Sequence, residues 1–296
     1  YYSVDKKYFS ITNLKNTNMG YTYFLSALFE KNFHFGLDLV ASYTFGHSKS
    51  VYDGTSSVAY SNWKYNYAVD SNNPGLAYSM FDIPHRVMVS VGYRTPRYAK
   101  GFMATTVSLV YNGYVGQRYS LTMNESYYDA EKKKTVYIDY NGDGWGGNSL
   151  LYIPTEDELQ KMDFKTEEDR RKFDEWIEGD SYAKKHRGAY AMRNSNSAPW
   201  ENRVDLHVAQ DIFVLKDRGS KFQVTFDVTN FANMLNKKWG TTYTAAYNVM
   251  PLQVIGSKKG EDGNYTNTYA YNSRNTITKN DVLSRWHAQI GFKYIF

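Results

Sequence analysis

A strict alternation of apolar and polar residues is the feature that most constrains how this chain can fold. At the C-terminus, residues 286–296 (WHAQIGFKYIF) carry an apolar or aromatic side chain at every second position. Successive side chains of a β-strand point to opposite faces of the sheet, so this alternation predicts a strand with one apolar face. The same pattern predicts further strands in six other segments, which are 18–30, 33–46, 85–95, 102–115, 202–215 and 221–235.

The gaps between these segments alternate between short and long. Three of the gaps between consecutive segments are short. They are a predicted hairpin turn at Lys31-Asn32 and the sequences PRYAKG and KDRGS. Soluble β-sandwiches turn about every 8–12 residues and have no reason to collect all long loops at one end. Outer-membrane barrels join their strands by short periplasmic turns and long extracellular loops. We therefore predict an all-β, antiparallel transmembrane barrel whose extracellular loops are 47–84, 116–201 and 236–282.

Composition agrees with a barrel and excludes several other classes of protein. The mean hydropathy is −0.62, and we find no run of the roughly 18 apolar residues that a spanning helix needs. Aromatic residues make up 17% of the chain, with 29 Tyr, which suits side chains placed at a membrane interface. The absence of Cys excludes disulfides and thiolate chemistry. The net charge of +5 is spread along the chain, so no nucleic-acid partner is expected.

An odd number of strands cannot close a barrel of this kind by itself. Open sheet edges would leave backbone groups without partners in lipid. We therefore predict that residues 1–296 are the C-terminal section of a larger barrel, with the plug domain outside this sequence. The last strand would then descend from the extracellular side and end in the periplasm. The Tyr-rich stretches 242–249 and 263–272 are expected to pair as one more hairpin above the membrane.

The hexapeptide DYNGDG is the strongest local motif. Its oxygen-bearing side chains alternate along the chain, as in the first half of a calcium-binding loop, and are those of Asp139, Asn141 and Asp143. The twelfth loop position is Leu150 instead of Glu, so Glu156 or Asp157 would have to complete the coordination. Two interpretations stay open, namely a calcium site and a tight solvated turn.

Two short helices are predicted within the longest loop. Thr155 and Glu158 have capping-box spacing, and Thr166 begins a second helical segment that ends at Gly179. Their acidic residues are expected to form solvated helix faces and not a catalytic acid–base pair. No HExxH metal-binding motif, phosphate-binding loop or nucleophile elbow is present, so the residues by themselves do not indicate an enzyme.

Four charged or titratable side chains are predicted to face the lumen close to a transported substrate. The competing interpretation is that they are simply part of the polar lining. The four candidates are Arg203, His207, Arg285 and His287.

Several phrases of the sequence resemble the barrel of TonB-dependent outer-membrane receptors, in particular the Oar-like branch of the Bacteroidota. They are SMFDIPHRVMVSVGYR (79–94), DYNGDGWGGNSLLYIP (139–154), RGAYAMRNSNSAPWENRVDLHVAQD (187–211), FQVTFDVTNFANMLNKKWG (222–240) and SRWHAQIGFKYIF (284–296). Together they cover most of residues 79–296, whereas residues 1–78 match only by pattern.

The resemblance implies a barrel of about 22 strands with a plugged lumen. It implies that the protein is not an enzyme but carries out TonB-dependent active transport of an unidentified substrate, by import or export. The expected partners are outer-membrane lipid, the TonB complex through an upstream region, the barrel-assembly machinery and a surface lipoprotein. The Asn-Leu and Asp-Pro-Glu phrases of the SusC-like branch are missing, which weakens the case for a SusD-like lid. A passive porin or surface adhesin is the alternative, followed by a soluble β-sandwich or surface enzyme.

Overall fold

The structure is a computed structural model that describes most of the chain. The described residues are 7, 11–124, 126–214, 220–244, 248–261, 263–273 and 277–296. The predicted strand end at Leu215 and most of the KDRGS turn lie outside them.

Strands dominate the described residues. In chain order they are β1 (Tyr21–Asn32), β2 (Leu37–Ser50), β3 (Ala77–Tyr78), β4 (His85–Arg94), β5 (Met103–Tyr114), β6 (Arg118–Leu121), β7 (Ser126–Asp129), β8 (Lys134–Tyr137), β9 (Tyr152–Ile153), β10 (Asp163–Phe164), β11 (Ala189–Tyr190), β12 (Asn196–Ser197), β13 (Glu201–Phe213), β14 (Lys221–Thr229), β15 (Tyr243–Thr244), β16 (Asn248–Val249), β17 (Leu252–Lys259), β18 (Tyr265–Tyr271), β19 (Thr278–Lys279) and β20 (His287–Ile295). The helices are α1 (Ala59–Lys64), α2 (Glu156–Lys161), α3 (Glu167–Gly179), α4 (Phe231–Leu235) and one 3₁₀ turn, Ala183–Lys185. Among the described residues, no helix is long and apolar enough to cross a membrane.

The seven long strands form one antiparallel meander in the order β1-β2-β4-β5-β13-β14-β20. This confirms the all-β antiparallel prediction and each of the seven predicted strands. The register places apolar residues opposite apolar residues from strand to strand. Val91 lies opposite Leu109, Leu109 opposite Leu206, and Leu206 opposite Val228. One face of the sheet is therefore apolar across its width.

Much of the apolar face is exposed. The side chain of Phe292 is 81% exposed, and Ile290 and Leu25 are also largely exposed. Val87 and Val208 are only half-buried, so the apolar side chains do not form the interior of a compact globule. Each Å² of exposed apolar surface costs about 25 cal/mol in water, so this face requires apolar surroundings.

Aromatic rings cluster at the two ends of the sheet. At the short-turn end, the ring of Phe222 lies 4.9 Å from that of Tyr294, which lies 6.0 Å from that of Phe296. At the long-loop end, the rings of Phe45 and His85 are 5.2 Å apart. Two aromatic girdles of this kind are typical of strands that cross a bilayer.

The first hairpin turn lies further along the chain than predicted. Asn32 still pairs with Asp38, so the turn is formed by residues 33–36 and not by Lys31-Asn32. The N–H of Gly36 donates to the carbonyl of Phe33 at 3.0 Å. Gly36 has φ +93°, a conformation that glycine adopts readily because it has no Cβ. The alternation could not locate this turn, because Phe33 and Phe35 continue the pattern of an apolar residue at every second position.

The sixth predicted strand ends at Thr229, so its extension to Leu235 is wrong. Asn230 adopts the left-handed conformation with φ +57° and begins helix α4. Its backbone N–H donates to Oδ1 of Asp205 at 2.7 Å, and its Nδ2 donates to the carbonyl of Ser284 at 2.8 Å. These tertiary hydrogen bonds turn the chain out of the sheet.

The predicted hairpin between 242–249 and 263–272 is also wrong. Strand β18 pairs with β17 instead, and β15 pairs with β19. Strand β16 pairs in parallel with β6, from another loop. Residues 245–247 lie outside the described part of the chain.

The three long loops pack together into what we call the loop layer, residues 51–84, 115–200 and 230–286. Its core contains residues with almost no exposure, among them Leu121, Leu151, Ile153, Phe173 and Ile177. Strand β10 of the second loop pairs in parallel with β18 of the third, and an isolated bridge joins Ala68 to Ser149. The described parts of the three loops are thus joined by hydrogen bonds, and the second and third loops share the apolar core.

Both predicted helices of the longest loop are confirmed. In α2 the N–H of Glu158 donates to Oγ1 of Thr155 at 3.3 Å, and the N–H of Thr155 donates to Oε2 of Glu158 at 2.9 Å. In α3 the N–H of Asp169 donates to Oγ1 of Thr166 at 3.1 Å. These caps satisfy N–H groups that would otherwise lack partners at the helix starts.

If the apolar face meets lipid, a charge placed on it must be costly. We expect Ile290→Arg, near the middle of β20, to lower the free energy of unfolding in bilayers by about 2–4 kcal/mol. The matched control Gln289→Arg lies on the opposite face and should change it far less. Urea titration of the protein folded into vesicles measures both values. Equal losses for the two variants would contradict a lipid-facing apolar side.

Candidate functional site

A buried ion pair ties the end of β2 to the loop layer. Asp82 is 2% exposed, and its Oδ2 accepts bonds from Nε and Nη2 of Arg118 at 3.0 and 2.7 Å. Its Oδ1 accepts from the backbone N–H of Ser48 at 2.7 Å, and Nδ1 of His47 lies 3.3 Å away. The Arg118 guanidinium also lies over the ring of Tyr78, 4.1 Å from its centroid. The two charge-assisted hydrogen bonds to Oδ2 pair the buried cation of Arg118 with the buried anion of Asp82.

A second buried arginine lies nearby with a different set of partners. Arg193 is 4% exposed, and it donates from Nη1 to Oδ1 of Asn66 at 2.5 Å and from Nη2 to the carbonyl of Ser50 at 2.6 Å. The nearest carboxylate oxygen, Oδ2 of Asp53, is 3.6 Å away. Burial lowers the pKa of Arg193, and the Asp53 charge opposes this only in part.

Asn194 holds the neighbouring backbone in place. It adopts φ +55°, and its N–H donates to Oγ of Ser120 at 2.9 Å. Its Nδ2 donates to the carbonyl of Tyr78 at 2.8 Å and to Oδ2 of Asp53 at 3.2 Å. The first and second long loops therefore meet at this point, beside the end of β2. We call it the junction cluster: Asp53, Asn66, Asp82, Arg118, Arg193 and Asn194.

The junction cluster borders a cavity of about 420 Å³. Its walls combine members of the cluster with the rings of Tyr52, Tyr65 and Tyr67. The hydroxyl of Tyr52 donates to the carbonyl of Ser71 at 3.3 Å, and burial raises the pKa of Tyr52 above its ordinary value. A concave site with aromatic walls and a few convergent polar groups is the usual form of a small-molecule pocket.

Sequence reasoning did not identify the junction cluster. Asp82 lies in SMFDIPHR, and Arg193 and Asn194 lie in AMRNSNS, phrases that were used only for the resemblance to TonB-dependent receptors. A charged residue inside such a phrase was the one signal in the sequence that could have indicated a buried ion pair. Its partner could not be found, because Arg118 lies 36 positions after Asp82 and Asn66 lies 127 positions before Arg193.

The structure brings the three predicted calcium ligands together in one turn. Oδ1 of Asp139 accepts from the N–H of Asp143 at 3.1 Å, and its Oδ2 accepts from the N–H of Gly144 at 2.7 Å. Oδ2 of Asp143 accepts from Oγ of Ser71 at 2.6 Å and from Nδ2 of Asn148 at 2.7 Å. These bonds dock the turn against the first long loop.

The donor set of this turn fits part of a calcium site. Asp139, Asn141 and Asp143 supply oxygen atoms, which are the ligands that calcium takes. Leu150, at the position where a calcium loop normally supplies a bidentate Glu, is buried and apolar. No group of three or more His, Asp or Glu side chains among the described residues is arranged to hold a metal ion. Calcium binding therefore stays a prediction.

The four lumen candidates are not brought together by hydrogen bonds. Arg203 and His207 lie on the polar face of β13, where Nε of Arg203 donates to Oδ1 of Asp205 at 3.1 Å and Nδ1 of His207 lies 2.5 Å from Oδ1 of Asp227. His287 is the first residue of β20, opposite Thr229. Arg285 is exposed and lies between the turn at 281–284 and that strand. Contact with a substrate stays a prediction for all four.

One charge on the polar face of β13 is buried. Asp211 is 2% exposed and is covered by side chains from β4 and β14. Its oxygens accept from Nη2 of Arg94 at 2.8 Å, from Nζ of Lys221 at 2.7 Å and from Nε2 of Gln223 at 2.8 Å. This network links β4, β13 and β14 near the short turns.

These features define an outer-membrane β-barrel protein with a folded extramembrane loop layer. A family model described as an outer membrane beta barrel domain matches residues 2–284. The chain belongs to this family, and the outer membrane is where the family places it. The comparisons with curated proteins and with solved structures found no match.

Calcium binding by the DYNGDG turn can be tested directly. We expect calcium, measured by isothermal titration calorimetry after EGTA treatment, to bind the wild-type protein and to bind Asp139→Asn at least about tenfold more weakly, because one charged ligand is lost. Asp163→Asn, an exposed carboxylate of β10, is the matched control. No heat of binding in the wild-type protein would leave the tight solvated turn as the correct interpretation.

Proposed function

We propose that this protein is the C-terminal section of a TonB-dependent outer-membrane receptor that actively transports a substrate, and that it has no catalytic role. The plug and the TonB-contacting segment would lie in parts of the protein other than these residues. The proposal is supported in the sequence by the phrases that resemble the Oar-like branch, which are residues 79–94, 139–154, 187–211, 222–240 and 284–296.

The observation that carries the proposal is the pair of open edges of the main sheet. Among the described residues, β1 pairs only with β2, and β20 pairs only with β14. Backbone N–H and C=O groups on these outer edges would cost several kcal/mol each if left unpaired in lipid. These open edges support a proposal in which further strands flank both of them, and a larger barrel is the class whose lumen holds a plug.

The loop layer supports an extracellular substrate-capture surface. It lies at one end of the sheet, where the long connections meet, and its described residues have their own apolar core. In the proposed orientation this end is extracellular and Phe296 is periplasmic. Barrel-assembly machinery, outer-membrane lipid, the TonB complex and a surface lipoprotein are the proposed partners.

Residues 1–296 contain no Cys, so a Cys introduced among them marks a known position for a test of the orientation. We expect Thr135→Cys, in the loop layer, to react in intact cells with a maleimide that does not cross the outer membrane. His34→Cys, in the first short turn, should react only after the outer membrane is permeabilised. Both positions are exposed, so folding does not protect either one. The reverse labelling pattern would contradict the proposed orientation.

A test of transport compares the parent strain with strains that lack this protein or TonB. We expect the growth medium of a strain lacking this protein and that of a strain lacking TonB to retain the same compound, which the parent strain removes. The purified whole protein in planar bilayers should show no steady ion conductance, because a plug fills the lumen.

A passive porin would conduct continuously and work without TonB, and an adhesin would change no compound in the medium. Either of these results would overturn the proposal.

A further inference from the structure

The cavity at the junction cluster contains a buried hydrogen-bond donor without a partner. Asn66 is 8% exposed, and its Oδ1 accepts from Nη1 of Arg193 at 2.5 Å. A guanidinium can only donate, so this contact fixes which amide atom is the oxygen. The amide nitrogen, Nδ2, then has no hydrogen-bond partner within the described residues. A buried donor of this kind is costly until an acceptor meets it.

The charge of Arg193 is also less closely matched than that of Arg118. Arg118 has the carboxylate of Asp82 at 2.7 Å, whereas the close partners of Arg193 are the neutral carbonyl oxygens of Asn66 and Ser50. The Asp53 carboxylate, 3.6 Å away, already accepts from Oγ of Ser50 and from Nδ2 of Asn194. A buried cation therefore lies beside an amide with a free donor, and both residues line the cavity.

We propose that this cavity binds a small molecule through a carboxylate group, which accepts from Nδ2 of Asn66 and lies against the Arg193 cation. A carboxylate offers two acceptor oxygens and a single negative charge, which match one cationic and one neutral donor. A hydroxyl would satisfy Asn66 without balancing any charge. A dianion would be repelled by Asp53, which lines the same cavity.

The remaining walls select the body of the ligand. Tyr52, Tyr65 and Met80 line the cavity and offer flat apolar surfaces. The volume of about 420 Å³ lies within the range of small-molecule pockets. The ligand class is accordingly a monocarboxylate with an aromatic or apolar body. Binding at this cavity requires neither TonB nor a membrane potential. A test of binding is therefore independent of a test of transport.

A pair of probes that differ only in charge tests the carboxylate preference. The probes are 4-hydroxyphenylacetate and its neutral amide, titrated against the whole protein in detergent and followed by saturation-transfer difference NMR. We expect the carboxylate to bind at least about tenfold more tightly, as for hydrogen bonds to a charged group. Equal affinities, or no binding of the carboxylate, would overturn the proposal.

The variant Asn66→Asp locates the binding site. It keeps the oxygen that faces Arg193, replaces the free donor with an anion and should abolish the preference for the carboxylate probe. Asn73→Asp, an exposed position of the same loop outside the cavity lining, is the matched control and should leave binding unchanged. Heat-modifiable migration on gels reports folding of both variants. A folded Asn66→Asp protein that binds the carboxylate like the wild type would also refute the proposal.

Discussion

Backbone hydrogen bonding in an environment without water is the constraint on which this structure depends. The five inner strands pair on both sides over most of their length, so their N–H and C=O groups are satisfied within the sheet, whereas β1 and β20 each have one partner among the described residues. The register that achieves this also aligns Val91, Leu109 and Leu206 on one face. A shift by one residue would move each of these side chains to the polar face, so hydrophobic pattern and pairing reinforce each other.

The loop layer is stabilised differently from the sheet, because it has an apolar core of its own. Its core residues, such as Phe173 and Ile177, are buried against one another in the manner of a water-soluble domain. The Asp82–Arg118 pair and the contacts of Arg193 fasten this layer to the end of β2. The cavity walls come from the first and second long loops, and the hydrogen bonds of Arg118, Arg193 and Asn194 hold these walls together.

Alternation located the long strands but not the points where the chain leaves them. His85–Arg94 lies within the predicted segment 85–95, since period-2 patterning is a local property. The strand end at Thr229 was missed because Asn230 is fixed by hydrogen bonds to Asp205 and Ser284, which no local pattern shows. The capped starts of α2 and α3 were predicted because a cap needs only residues three positions apart.

The sequence by itself determined the antiparallel barrel strands, their two-faced character, the short and long connections and the two capped helices. Each of these follows from side chains close together in the chain. Only the tertiary structure decided the pairing of the Tyr-rich strands, the left-handed turn at Asn230 and the junction cluster. These depend on residues such as Asn66 and Arg193, which lie 127 positions apart and meet only after the loops have packed.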